Sequence, residues 1–158
     1  MIPNFHDLPA QVITVLNRFV NETDHRSLVF SRSKTKDIIY TMTHLSHRKT
    51  IAKLTQNKQG QVLLWLRFSA SNDYGPYFNQ KLIETLEADD YRYEGCYQLC
   101  HECDPPRGYQ VHSPIGDFFR CHKELILIGP IEQVPIEEVL HLIDTQNQYE
   151  AQNKYMKV

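Results

Sequence analysis

Residues 38–68 read IIYTMTHLSHRKTIAKLTQNKQGQVLLWLRF, and the spacing of apolar side chains along this stretch decides the fold class. Ile38, Tyr40 and Met42 alternate with Ile39, Thr41 and Thr43. Beyond a turn at His44 to Arg48, Ala52 and Leu54 alternate with Ile51 and Lys53. Asn57-Lys58-Gln59-Gly60 supplies a second turn, after which Val62 to Phe68 runs apolar on both parities. A period of two marks a strand with one face toward a core, and short polar turns make successive strands antiparallel neighbours. The stretch therefore predicts a three-strand antiparallel meander. Its third strand, with Val62, Leu63, Leu64, Trp65 and Leu66 in succession, is expected to be central and covered on both faces, since only such a strand buries both parities.

On either side the period changes to that of a helix. Asp7-Leu8-Pro9 offers a capping acid and a first-turn proline, and Val12, Ile13, Leu16, Phe19 and Val20 recur three and four apart, so a helix is expected from about 9 to 21. Asn21-Glu22-Thr23-Asp24 should end it. The triplet Leu28-Val29-Phe30 reads either as a short strand or as an apolar staple onto the core. After the meander, Ser71-Asn72-Asp73 offers caps, and Pro76 with Phe78, Leu82 and Leu86 predicts a helix over about 75–87 lying on one face of the sheet. Leu125 to Ile128 reads as a short strand stopped by Gly129-Pro130. Pro135 then opens a last helix, with Ile136, Val139, Leu140 and Ile143 on one face and Glu137 and Glu138 complementing the dipole of its first turn. The Gln- and Asn-rich tail, 145–158, is expected to fray or to continue as an exposed helix. Together these elements predict one α+β domain over 1–158: an antiparallel sheet, built from the meander, a later hairpin and a short strand, covered by about three helices. A chain of 158 residues is long enough to bury a full core.

Between that second helix and the short strand, residues 95–122 read GCYQLCHECDPPRGYQVHSPIGDFFRCH and hold all four cysteines of the chain: Cys96, Cys100, Cys103 and Cys121. Ser113-Pro114-Ile115-Gly116 suits a type I turn, with proline second and glycine fourth. A hairpin closed there pairs His112 with Asp117 and, counted outward, sets Gly108 opposite Cys121. That returns the fourth thiol toward Cys103, as a tetrahedral thiolate site for zinc requires, with Cys100 and Cys103 spaced as a knuckle and Cys96 just upstream. Two other readings stand beside it. The thiols can be small inert hydrophobes, or they can serve redox chemistry or a disulfide, with Cys100-His101-Glu102-Cys103 as the redox pair, although Asp104-Pro105-Pro106 forbids the helix on whose N-terminus such a motif depends.

Charge divides the chain as well. From His25 to Asn72 nine basic residues face the single acid Asp37, a local charge of +8 in a protein whose net charge is −2. Arg48, Lys49, Lys53 and Lys58, with Tyr40 and Trp65 as candidate stacking surfaces, mark the meander as a contact surface for nucleic acid or another anionic partner. The alternative is that the basic and acidic parts neutralise each other in the fold. No phosphate loop, nucleophile elbow or His-Glu-x-x-His motif occurs. A binding or accessory module with a structural zinc is thus the first reading. The second is an enzyme acting on a small ligand with a thiol or histidine catalyst in a cleft between sheet and helix. The longest apolar run, Val62 to Leu66, is far short of the roughly 20 residues of a membrane span, and Met1 to Pro9 lacks the pattern of a secretory signal, so a cytoplasmic protein is expected.

The order of elements, with IAKLTQNKQGQVLLWLRF in the meander and IEEVLHLID opening the final helix, resembles the layout of small bacterial α+β proteins of the YjbR/MmcQ kind over about Thr35 to Asp144. The cysteine segment departs from that layout. The resemblance implies the same fold class and, by analogy of shape, DNA binding; it carries over no functional residues.

Overall fold

The computed structural model describes residues 8–32, 40–68, 70–71, 73–88, 109–113, 116–120 and 125–154. In chain order these form α1 (Ala10–Asp24), β1 (Leu28–Arg32), β2 (Tyr40–His44), β3 (Thr50–Gln56), β4 (Val62–Leu66), α2 (Pro76–Glu87), β5 (Tyr109–Ser113), β6 (Gly116–Arg120), β7 (Ile126–Pro130), a 3-10 turn (Ile131–Gln133) and α3 (Ile136–Lys154). The fold is α+β. An open antiparallel sheet of five strands runs in the order β1-β2-β3-β4-β7, and β5 and β6 pair separately as a hairpin.

The meander has one strand more than expected, because Leu28-Val29-Phe30 belongs to β1, paired along its length with β2 from Leu28↔His44 to Arg32↔Tyr40. Between β2 and β3 the register slips after Met42↔Ala52 to Thr43↔Thr50, so that Ile51 is the extra residue of a bulge, and it is fully buried. β7 closes the other side of β4. It continues through Gly129-Pro130 instead of stopping before them. Proline is tolerated there because β7 is an edge strand and has only one neighbour to supply with N–H groups.

Alternation sorts the sheet into two faces. Tyr40, Met42, Ala52, Leu54, Leu64, Leu66, Ile126 and Ile128 are buried and share one cluster with Leu16, Phe19 and Val20 of α1, Phe78 and Leu82 of α2, and Val139, Leu140 and Ile143 of α3. Each such side chain contributes roughly 1.5–3 kcal/mol by leaving water, which makes this inward face the main source of stability. The opposite face is less covered. In β4 only Val62, Leu64 and Leu66 are buried, whereas Leu63 and Trp65 are half-exposed. The expectation that this strand is covered on both sides is therefore corrected. Its unbroken apolar run reflects a central position in the sheet together with an outer face that is itself apolar.

Helix ends also depart from expectation for physical reasons. α1 extends to Asp24 because the buried Thr23 hydroxyl donates back to the carbonyls of Phe19 and Val20, at 2.9 and 3.0 Å, and so satisfies itself within the helix. α2 begins on Gly75, at φ 74°, and no side chain of its own loop caps it. The cap comes from α3: Glu138 Oε1 accepts the Tyr77 N–H at 3.0 Å, an acid placed at the positive end of the helix. A Cβ at residue 75 would collide with that carboxylate, so glycine is required both by backbone angle and by room. The tail continues as helix to Lys154, one of its two expected forms, but Gln146 and Glu150 are buried where an exposed helix was expected; residues 155–158 lie outside the described residues. Among the described residues, no helix is long and apolar enough to cross a membrane.

Candidate binding surface

Cross-strand register lays out the outer face row by row. Ser31, Thr41, Lys53, Trp65 and Leu127 are successive partners across β1, β2, β3, β4 and β7. Beside this row lie Val29, Thr43 and Thr50 on one side, and Thr55, Leu63 and Pro130 on the other. The face is thus a lawn of hydroxyls and aliphatic groups around one indole. Lys53 extends its ammonium over the Trp65 ring, 4.6 Å from the centroid, and the indole N–H donates to Thr55 Oγ1 at 2.9 Å. Both contacts fix the ring in place on the sheet, where it is half-exposed.

The four basic residues singled out in the sequence occupy different positions. Lys53 is at the centre of the outer face. Arg48 is exposed in the β2–β3 turn, and Lys58 is exposed in the β3–β4 turn, so β3 lies between them, seven residues or about 23 Å long. Lys49 is engaged: its ammonium reaches the buried Glu150 carboxylate at 2.8 Å. Glu150 also accepts a bond from Gln146 Nε2 at 3.0 Å, and Gln146 Oε1 accepts the Ala70 N–H at 3.1 Å. A second pair does the same at the start of the basic segment, where the Arg26 guanidinium donates to both oxygens of Asp144, at 2.7 and 3.2 Å. The guanidinium is thereby held still more firmly in its charged form. Mutual neutralisation therefore accounts for some of the basic residues and not for others. Arg26 and Lys49 are neutralised by α3, whereas Arg48, Lys53 and Lys58 have no acid partner among the described residues. Tyr40, the other candidate for stacking, faces inward and is buried.

The β2–β3 turn carries the histidines. His44 and His47 stack, with centroids 4.4 Å apart and planes 9° from parallel. The Ser46 N–H donates to His44 Nδ1 at 3.1 Å, and the Lys49 N–H donates to His47 Nδ1 at 3.2 Å. In each ring the other nitrogen then carries the proton of the neutral form, and for His47 it faces Asn147 Oδ1 at 3.1 Å. Burial, and secondly the neighbouring His47, holds the His44 pKa below its ordinary 6.5. A cavity of about 240 Å³ opens beside this turn, lined by Val29, Ser31, Thr43, His44, Leu45 and Arg48. The two turn histidines belong to no sequence motif. The signal that groups them with Ser31 and Thr43 is strand parity: Thr43 is on the outer face, and His44 follows it at the strand end.

The metal candidates Cys96, Cys100, Cys103 and Cys121 all lie outside the described residues. Among the described residues no group of histidines, cysteines and acids is arranged to hold a metal ion. The hairpin that would return Cys121 has the expected register, with His112↔Asp117 and Ser113↔Gly116 at the turn and Tyr109↔Arg120 at the open end. Compared with known proteins, the chain matches no family model, no curated protein and no solved structure, and nothing in those comparisons bears on the YjbR/MmcQ-like layout.

Proposed function

We propose that this protein is a binding module whose outer sheet face receives single-stranded nucleic acid. The observation that carries the reading is the Lys53–Trp65 pair on a face without acids. β1 to β4 and the turns from 40 to 68 contain Arg32, Arg48, Lys49, Lys53, Lys58 and Arg67 and no Asp or Glu. A half-exposed indole offers a base a stacking surface. The Lys53 ammonium, on swinging off the ring, meets the phosphate that accompanies the base, while the threonine hydroxyls give sequence-independent donors. The bound chain would run along the face between the two turns, in reach of Arg48 at one end and Lys58 at the other.

Trp65 is the single tryptophan of the chain, so its fluorescence reports directly on this surface. Titration with oligo-dT at low salt is expected to quench it, with affinity falling as salt rises. Trp65→Leu, followed by anisotropy of a labelled oligonucleotide, should weaken binding about 5- to 150-fold, the loss of one stacked base at roughly 1–3 kcal/mol. Lys53→Glu with Lys58→Glu should abolish it. Oligonucleotide binding that is unchanged by either variant would overturn the reading.

A structural zinc held by Cys96, Cys100, Cys103 and Cys121 is proposed alongside it. It is supported by the hairpin register, whose open end at Tyr109↔Arg120 stops one residue short of Cys121 in the sequence. Elemental analysis of untagged protein should find one zinc per chain, and Cys100→Ser should release it and lower the melting temperature. Protein that holds no zinc and is indifferent to the serine variant removes the site.

A further inference from the structure

The cavity at the β2–β3 turn bears on a different kind of ligand. The turn is closed by the Arg48 N–H donating to the His44 carbonyl at 3.0 Å, and Arg48 has a φ of 61°. Four residues, Leu45 to Arg48, lie between His44 and Lys49, whose carbonyl accepts the His44 N–H, and a left-handed position in such a turn usually falls to glycine, since a Cβ is disfavoured there. An arginine in such a position is a local strain that backbone geometry does not call for, and strain of this sort marks places where a side chain has other work. Here the side chain lines a cavity. Its guanidinium has no acid or other partner among the described residues.

The rest of the lining supplies donors around the same space. His44 accepts a bond at Nδ1 and so carries its proton on Nε2. Ser31 and Thr43 add hydroxyls, of which Thr43 Oγ1 is 3.3 Å from Thr50 Oγ1 and can accept from that neighbour while donating inward. Val29 and Leu45 supply apolar walls, and Leu45 is an exposed large hydrophobic residue, at 52%. Among the described residues no acid lines the space. At about 240 Å³ it is below the usual range for a drug-sized ligand and suits an anionic head on a short apolar body.

The geometry points to a binding site for a small phosphate monoester in the cavity formed by Val29, Ser31, Thr43, His44, Leu45 and Arg48. A tetrahedral phosphoryl group presents three terminal oxygens in different directions, matching donors that come from a turn and from two strands. A planar carboxylate would leave some of them unanswered. Arg48 provides the charge, the imidazole and hydroxyls fix the orientation, and Leu45 covers the organic part. The site does not include Trp65 or Lys53, and it shares only Arg48 with the proposed nucleic-acid path.

Phenyl phosphate, benzoate and inorganic phosphate are the probes, each followed by calorimetry and by thermal shift. Phenyl phosphate is expected to bind and to raise the melting temperature, inorganic phosphate to bind at least tenfold more weakly for want of the apolar contact, and benzoate to have no effect. Arg48→Gly relieves the backbone while removing the guanidinium, so it should melt no lower than the parent chain and yet lose phenyl phosphate binding. Arg48→Lys should keep part of it. Trp65→Leu should bind phenyl phosphate as the parent does, which separates this site from the nucleic-acid surface. An Arg48→Gly protein that still binds, benzoate binding equal to that of phenyl phosphate, or no binding of phenyl phosphate at millimolar concentration would each overturn the proposal.

Discussion

The two faces of the five-strand sheet are built from the same strands, residue by alternate residue, yet they have opposite characters. The inner face is aliphatic and aromatic, with Met42, Ala52, Leu64 and Leu66 fully buried. The outer face has Thr41, Thr43, Lys53, Thr55 and Trp65 at the intervening positions, all half-exposed. A helix layer needs only one of these faces, and the other is free to acquire polar chemistry at little cost to the fold. The contrast implies that stability and surface chemistry are separable in this protein, strand by strand.

The strongest way to break that contrast is to truncate one residue on each face of the sheet, on two neighbouring strands. Leu54→Ala, on the inner side of β3 and 1% exposed, should cost about 2–5 kcal/mol in urea unfolding. Thr41→Ala, on the outer side of β2, should stay within about 0.5 kcal/mol. Similar losses at the two positions would show that the outer face is as tightly packed as the inner one.

A smaller effect is expected where the faces meet, at the end of the sheet. Lys49→Ala leaves the Glu150 carboxylate, 3% exposed, with only its Gln146 bond, and should cost about 1–3 kcal/mol. The half-exposed ammonium limits the loss. Lys49→Arg should recover part of it, and a neutral result for Lys49→Ala would mean that water replaces the ammonium at the carboxylate without difficulty. For this reason charge-reversal at Lys49 is a poor probe of the proposed nucleic-acid contact, and Lys53 and Lys58 are the better positions.

The smallest effect concerns pH. His44 has a folded-state pKa below its unfolded value of 6.5, so the folded form binds its proton less readily than the unfolded chain does. Its contribution is present above pH 6.5 and is lost as pH falls through the lower, folded value. Melting temperature should therefore decline on acidification from pH 7 toward 5, and His44→Gln should flatten that slope. An equal slope in both proteins would assign the decline to other groups.

Much of this architecture was legible because it rests on local periodicity. The Tyr40–Met42 and Ala52–Leu54 alternations, the second helix from Pro76 to Glu87 and the His112↔Asp117 register all depend on residues close in sequence. What escaped depends on distant partners. The buried tail of α3 reads as polar, and Gln146 is acceptable in the interior only because Ala70 and Glu150 answer its amide. In the same way, His47 meets Asn147 across 100 residues. β4 was misjudged for a different reason, since Leu63 and Trp65 satisfy the pattern of a fully buried strand whether or not anything covers them. At the candidate surface, the basic residues were visible as a group, but which of them α3 neutralises was not. The left-handed backbone of Arg48 leaves no trace in composition.

The place of β7 has a consequence for how the chain matures. β4 is the most apolar strand, VLLWL, with no charge, proline or glycine, and its second neighbour is β7, which begins only at Ile126. While the polypeptide is being made, this segment emerges long before the strand that will shield its flank. Until then it is an unprotected edge of the kind on which other copies can assemble. Late arrival of β7 makes the nascent meander the vulnerable stage of biogenesis, and any chain ending before residue 126 stays at that stage.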